Sequence, residues 1–160
     1  MKKIIWIMWP WNATQIDLQN AYEIGKFSAL KWYITLTWWR NEWVMNEWLK
    51  WAKEKWGITL WILPNDDTTT FSQYLDIAVP TNMRSGRNYL NVLTSDIVVA
   101  CWVDHGTSSE ISLAIKPWKN IVLIGLYEEA NIFFKKLAPN QVYIAKNSSD
   151  AISILQDLWY

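Results

Sequence analysis

The residues best placed to do chemistry lie in one stretch, Cys101-Trp102-Val103-Asp104-His105-Gly106-Thr107-Ser108-Ser109-Glu110. It follows a run of Ile, Val and Ala and precedes a helical pattern, and such junctions are where open parallel sheets hold ligands. A glycine at the turn lets a phosphate approach backbone N–H groups. The helix N-terminus behind it adds unsatisfied donors and a favourable dipole. Gly106 and Thr107 are therefore the expected phosphate seat, with the Thr107 hydroxyl as a further donor. Glu110 comes one turn later, where a carboxylate could face sugar hydroxyls next to that phosphate. A second role stays open, because Thr107-x-x-Glu110 is also the pattern of a capping box, in which both side chains merely satisfy helix-end amides. Asp104 places negative charge beside the seat and should weaken phosphate binding.

Arg87 offers a planar fork for phosphate or sugar oxygens. Arg84, three residues earlier, would share its helix face and could help receive an anion, although an ordinary exposed face is the plainer role for Arg84. His105 is the only histidine and reads as a loop residue beside the ligand rather than a general base. A Ser-His-Asp set would need it, and no Gly-x-Ser-x-Gly elbow is present. Cys101 reads as a small buried hydrophobe. Asn65-Asp66-Asp67 lacks the glycine-containing twelve-residue calcium loop and reads as a solvated turn, so no metal site is expected. No Lys lies in a pyridoxal-phosphate or P-loop context, and no resident cofactor is expected.

Positioning these residues requires a regular frame. Apolar runs of strand length at residues 3–8, 33–37, 58–63, 76–79, 96–101, 120–125 and 142–145 alternate with helical patterns at 17–31, 41–55, 83–94, 107–116, 128–137 and 149–158. That alternation predicts a mainly parallel sheet with crossover helices, and strands apolar on both faces predict burial on both faces. The expected fold is α/β, a Rossmann-like three-layer sandwich, in a single nucleotide-binding domain over residues 1–160.

Fifteen basic and fifteen acidic residues cancel without a block of either sign, which argues against a nucleic-acid surface. The apolar run after Met1-Lys2-Lys3 is shorter than a signal-peptide core of about 7–15 residues, and no run approaches the roughly 18 of a membrane span. One cysteine rules out an internal disulfide and suits a reducing cytoplasm.

Tryptophan is the anomaly. Fourteen Trp stand beside five Gly, where ordinary usage of about 7% would give roughly eleven Gly. Trp32 and Trp56 follow helical segments at the position that favours left-handed backbone. Trp9 and Trp11 flank Pro10 in a turn after the first strand, Trp38-Trp39 follows the second, and Trp118 occupies a Pro-Trp-Lys turn. Glycine suits all of these places and an indole suits none. Most or all of these Trp are therefore expected to stand for glycine in the natural protein. Reading a UGA codon with the wrong genetic code would produce this pattern. The alternative is a truly Trp-rich chain, with Trp43, Trp48 and Trp51 packed near one helical face.

Gly106-Thr107-x-x-Glu110 resembles the end of the Pro-Gly-Gly-x-Gly-Thr-x-x-Glu motif of the LOG-type (lysine-decarboxylase-like) family. Trp38-Trp39 through Trp43-Val44-Met45, read with Gly for Trp, is similar to that family's Gly-Gly pair and the Gly-(Val/Leu)-Met that opens its next helix. Ile62-Leu63-Pro64 and Arg87-Asn88 match further family features, and the likeness runs from about Lys3 to Gly125. Val103 and Asp104 depart from it, standing where the motif has two glycines. The resemblance implies a nucleoside 5′-monophosphate ligand, near Trp9, Pro10, Trp38, Trp39, Asp104 and His105, and a homodimer. It also implies Arg87 and Glu110 as the catalytic pair of a phosphoribohydrolase, which frees the base from such a nucleotide. A shorter branch of the family includes relatives of molybdenum-cofactor carriers, so a non-catalytic carrier or sensor is the alternative.

Overall fold

The computed structural model describes residues 2–10, 14–37, 53, 57–66 and 74–159. Among the described residues seven strands form one parallel sheet: β1 (Ile4–Met8), β2 (Ile34–Thr37), β3 (Ile58–Leu63), β4 (Ile77–Pro80), β5 (Ile97–Ala100), β6 (Asn120–Ile124) and β7 (Val142–Ala145), in the order β4-β3-β2-β1-β5-β6-β7. The helices among the described residues are α1 (Gln15–Leu30), α2 (Arg87–Thr94), α3 (His105–Ile115), α4 (Glu128–Leu137) and α5 (Ser148–Asp157). A 3-10 turn, Arg84–Gly86, leads into α2. This is the expected Rossmann-like α/β sandwich. Its strand order reverses between β1 and β5, and the C-terminal ends of strands at such a reversal are where open parallel sheets bind ligands.

The central strands carry Ile, Val, Leu and Ala on both faces because helices cover both. Ile5, Ile7, Trp61 and Val99 pack with Ala21, Ile24 and Phe27 of α1 and with Leu155 of α5. On the other face Trp6, Met8, Val98 and Leu123 meet Val92 of α2, Ile111 and Ala114 of α3, and Phe134 of α4. Pro80 closes β4 opposite Leu63, a place open to proline because β4 is an edge strand.

The starts of α1, α2 and α3 differ from expectation, while α4 spans Glu128–Leu137 as expected. α1 begins at Gln15, ahead of the expected residue 17, because Thr14 and Asp17 form a capping box. α2 is preceded by the 3-10 turn, whereas a continuous helix from residue 83 was expected; Arg84 has φ 49°, which an α-helix does not accept. α3 begins at His105, ahead of the expected residue 107. The second expected helix, 41–55, lies outside the described residues apart from Lys53.

Five of the seven described Trp stand at or beyond the ends of elements: Trp9, Trp32, Trp102, Trp118 and Trp159. Trp6 and Trp61 instead sit inside β1 and β3 and are fully buried, contrary to the expectation that Trp gathers at element ends. Trp11, Trp38, Trp39, Trp43, Trp48, Trp51 and Trp56 lie outside the described residues. No described helix is long and apolar enough to cross a membrane.

Candidate functional site

α3 carries Glu110, and what caps α3 decides what Glu110 is free to do. Asp104 is the N-cap, its carboxylate accepting from the Thr107 N–H at 2.8 Å. Thr107 is thus the third residue of the helix, and the capping-box role for Thr107 and Glu110 is overturned. Two consequences follow for the expected phosphate seat. The Thr107 N–H already has an acceptor, and Gly106 is an ordinary helical residue between His105 and Thr107. Asp104 therefore does more than repel an anion, since it occupies one of the donors that an anion would use.

Glu110 falls in the second turn, not the first, and is completely buried. Neither carboxyl oxygen has a hydrogen-bond partner among the described residues. Burial drives its pKa up to about 9; the Arg87 guanidinium opposes that shift and Asp104 adds to it. At neutral pH Glu110 is accordingly a neutral acid, able to donate one hydrogen bond and accept others.

Arg87 is the first residue of α2, only 5% exposed. Its pKa is lowered by burial, against the attraction of Glu110. The fold thus brings together the two residues singled out as a pair, on neighbouring helices on the same side of the sheet. Arg84 does not join them. It is exposed in the turn before α2, so the shared helix face expected for Arg84 and Arg87 does not form.

Asn91 was missed by sequence reasoning. It lies one turn beyond Arg87, fully buried, with neither amide atom hydrogen-bonded among the described residues. Its i+4 spacing from Arg87 was the available signal, since such residues share a helix face. A buried unpaired amide costs roughly 1–3 kcal/mol, so the α2–α3 region holds more polar capacity than the described residues satisfy.

Trp9 and Pro10 follow β1 at its C-terminal end, both buried, with Trp9 in the core on the α1 face of the sheet. β1 and β5 are paired to their ends, where the Cys101 N–H donates to the Met8 carbonyl at 2.9 Å. Cys101 is buried, with a thiol pKa raised well above the usual value by burial and by Asp17, as a packing residue should be. Trp38 and Trp39 lie outside the described residues, and so does Asp67 of the polar turn after β3.

His105 opens α3 as its first residue, exposed rather than set in a loop. Together with Val103, Ser108, Tyr127 and Phe133 it lines a wide groove of about 510 Å³ between α3 and α4. That groove flanks α3 on the side away from α2.

Among solved structures, the chain is similar to the molybdenum cofactor binding protein of the phototrophic bacterium Rippkaea orientalis, at 38% identity over 100% of this chain and 99% of that one, with a TM-score of 0.90. It is likewise similar to the molybdenum cofactor carrier protein of Chlamydomonas reinhardtii, at 35% identity over 99% of both chains and a TM-score of 0.90. DNA processing protein A of Helicobacter pylori shares the fold alone, at 16% identity over 99% of this chain and 82% of that one, TM-score 0.73. An uncharacterized protein of Archaeoglobus fulgidus is 32% identical over 101 residues, 63% of this chain and 66%, just under two thirds, of that relative. The model of the SLOG cluster4 family matches residues 2–152, and the chain belongs to that family.

Proposed function

We propose that this chain binds and carries a phosphorylated heterocyclic cofactor of the molybdenum-cofactor type, without turning it over. The observation that supports this reading most is full-length similarity, at 35–38% identity, to proteins described as binding or carrying molybdenum cofactor. The cargo would lie in the crevice at the β1–β5 switch point. Arg87 would supply a fixed cation for its phosphate, and Glu110 and Asn91 neutral hydrogen-bonding groups for its polar edges. Buried, pre-oriented polar groups in a shaped crevice hold a ligand tightly without needing to stabilise a transition state.

The phosphoribohydrolase reading draws on one specific observation, the convergence of Arg87 and Glu110. Cleaving a base from ribose builds positive charge on the sugar, which an ionised carboxylate stabilises. Glu110, with its pKa at about 9, holds a proton at neutral pH and offers little negative charge. The pair therefore lacks the ionised carboxylate that the transition state of hydrolysis calls for.

The carrier reading is tested by mixing purified protein with molybdenum cofactor, separating by size-exclusion chromatography and measuring molybdenum in the protein peak. Near-stoichiometric molybdenum, much reduced in an Arg87→Met variant, is the expected result. No molybdenum above that in a control protein would overturn it.

A further inference from the structure

We propose that the natural chain carries glycine where this sequence carries tryptophan, with Trp32 and Trp118 as the positions whose backbone demands it. α1 ends in a Schellman motif. The Tyr33 N–H donates to Ser28 O and the Trp32 N–H to Ala29 O, both at 2.9 Å, with Trp32 at φ 59°. The end of α3 repeats the arrangement. Lys119 N–H donates to Ala114 O and Trp118 N–H to Ile115 O, both at 3.1 Å, with Trp118 at φ 60°.

This left-handed position belongs to glycine, because a Cβ there crowds the backbone, and for a bulky residue it is a genuine outlier. Two unrelated helices in one chain make the same demand and both meet it with Trp. Both indoles project into solvent, 63% and 77% exposed, so no burial of the ring offsets the strain. Of the other non-glycine residues with positive φ, Asn82 and Arg84, Asn is a type that tolerates the conformation.

The indoles inside the molecule add an independent observation. The Trp6 and Trp9 ring N–H groups are buried with no hydrogen-bond partner among the described residues, whereas a native buried Trp normally finds one. A UGA codon read as glycine by its own translation system, and as tryptophan here, accounts for both observations and for fourteen Trp beside five Gly.

The decisive experiment is peptide sequencing by mass spectrometry of the protein from its natural source, across the peptides holding positions 32 and 118. Glycine masses at both are expected; tryptophan mass at either one overturns the proposal. A second measurement uses the chain as written. The unfolding temperatures of Trp32→Gly and Trp118→Gly should exceed those of Trp32→Ala and Trp118→Ala by roughly 2–4 °C each, since only glycine relieves the left-handed strain. Alanine variants as stable as their glycine counterparts would remove the conformational argument. Neither readout depends on what the crevice binds.

Discussion

Two helices in this protein carry Thr-x-x-acid near their N-termini and use it in opposite ways. At α1 the Thr14 hydroxyl accepts from the Asp17 N–H at 3.2 Å, and the Asp17 carboxylate accepts from the Thr14 N–H at 2.8 Å. At α3 the same spacing, Thr107 to Glu110, makes neither bond. Asp104 stands three residues before Thr107 and takes the N-cap first, which moves Thr107 inside the helix and Glu110 into its second turn. The acid of the first pattern is consumed by local structure and sits partly in water. The acid of the second is released from end-capping and buried beside Arg87. The same four-residue pattern caps one helix and, in the other, leaves its acid buried without a hydrogen-bond partner among the described residues.

The largest effect that separates the two acids is their response to pH. Glu110 has a folded pKa of about 9 against 4.5 for an ordinary carboxyl. Between those values the native state holds a proton that the unfolded chain has released. The stability Glu110 contributes is therefore full below about 4.5, falls as pH rises, and is gone above about 9. In denaturant titrations, wild type should lose stability relative to Glu110→Gln across that window by up to about 1.4 kcal/mol per pH unit. Parallel curves for the two proteins from pH 5 to 9 would mean that Glu110 is ionised and the comparison is wrong.

Next in size is Arg87. Calorimetric titration of the cargo against Arg87→Met should show affinity reduced about tenfold to a hundredfold, the usual worth of a hydrogen bond to a charged group. Unchanged affinity would take Arg87 out of the binding site.

Smaller effects sharpen the capping half of the comparison. Thr14→Ala and Asp104→Ala should each cost about 1 kcal/mol in urea unfolding, because each removes an N-cap. Thr107→Val, which keeps the shape of this buried side chain and removes only its hydroxyl, should cost less than Asp104→Ala, since that hydroxyl caps nothing. A Thr107→Val loss as large as that of Asp104→Ala would restore the capping box that the structure replaces.

Why some features were legible in the sequence follows from the same physics. Strands such as β1 and β5 are unbroken apolar runs because both faces are covered, and that pattern survives in one dimension. Arg87 and Glu110 were legible as a pair through the family's motif spacing. The starts of α1 and α3 were not, because a cap depends on which of several nearby Asp or Thr side chains reaches the amides first. Asn91 was hidden inside an otherwise ordinary helix, and its significance appears only once α2 lies against α3. Arg84 looked like a neighbour of Arg87 until the backbone turned at φ 49°. Tryptophan was legible as an anomaly of composition and position, yet Trp6 and Trp61 lie mid-strand, where a strand pattern tolerates a large apolar residue and gives no sign of misfit.

The central claim is that Glu110 is a neutral acid that helps to hold cargo rather than a charged catalyst. It is tested most directly by incubating AMP, GMP, CMP and UMP with the protein and resolving free base by chromatography. The test should use both the chain as written and a chain with glycine at every Trp position, each beside its Glu110→Gln variant. The account predicts no free base above the uncatalysed background from any of the four, and no difference between either chain and its Glu110→Gln variant. Base release that Glu110→Gln abolishes, in either chain, would contradict it and make this member of the family a phosphoribohydrolase.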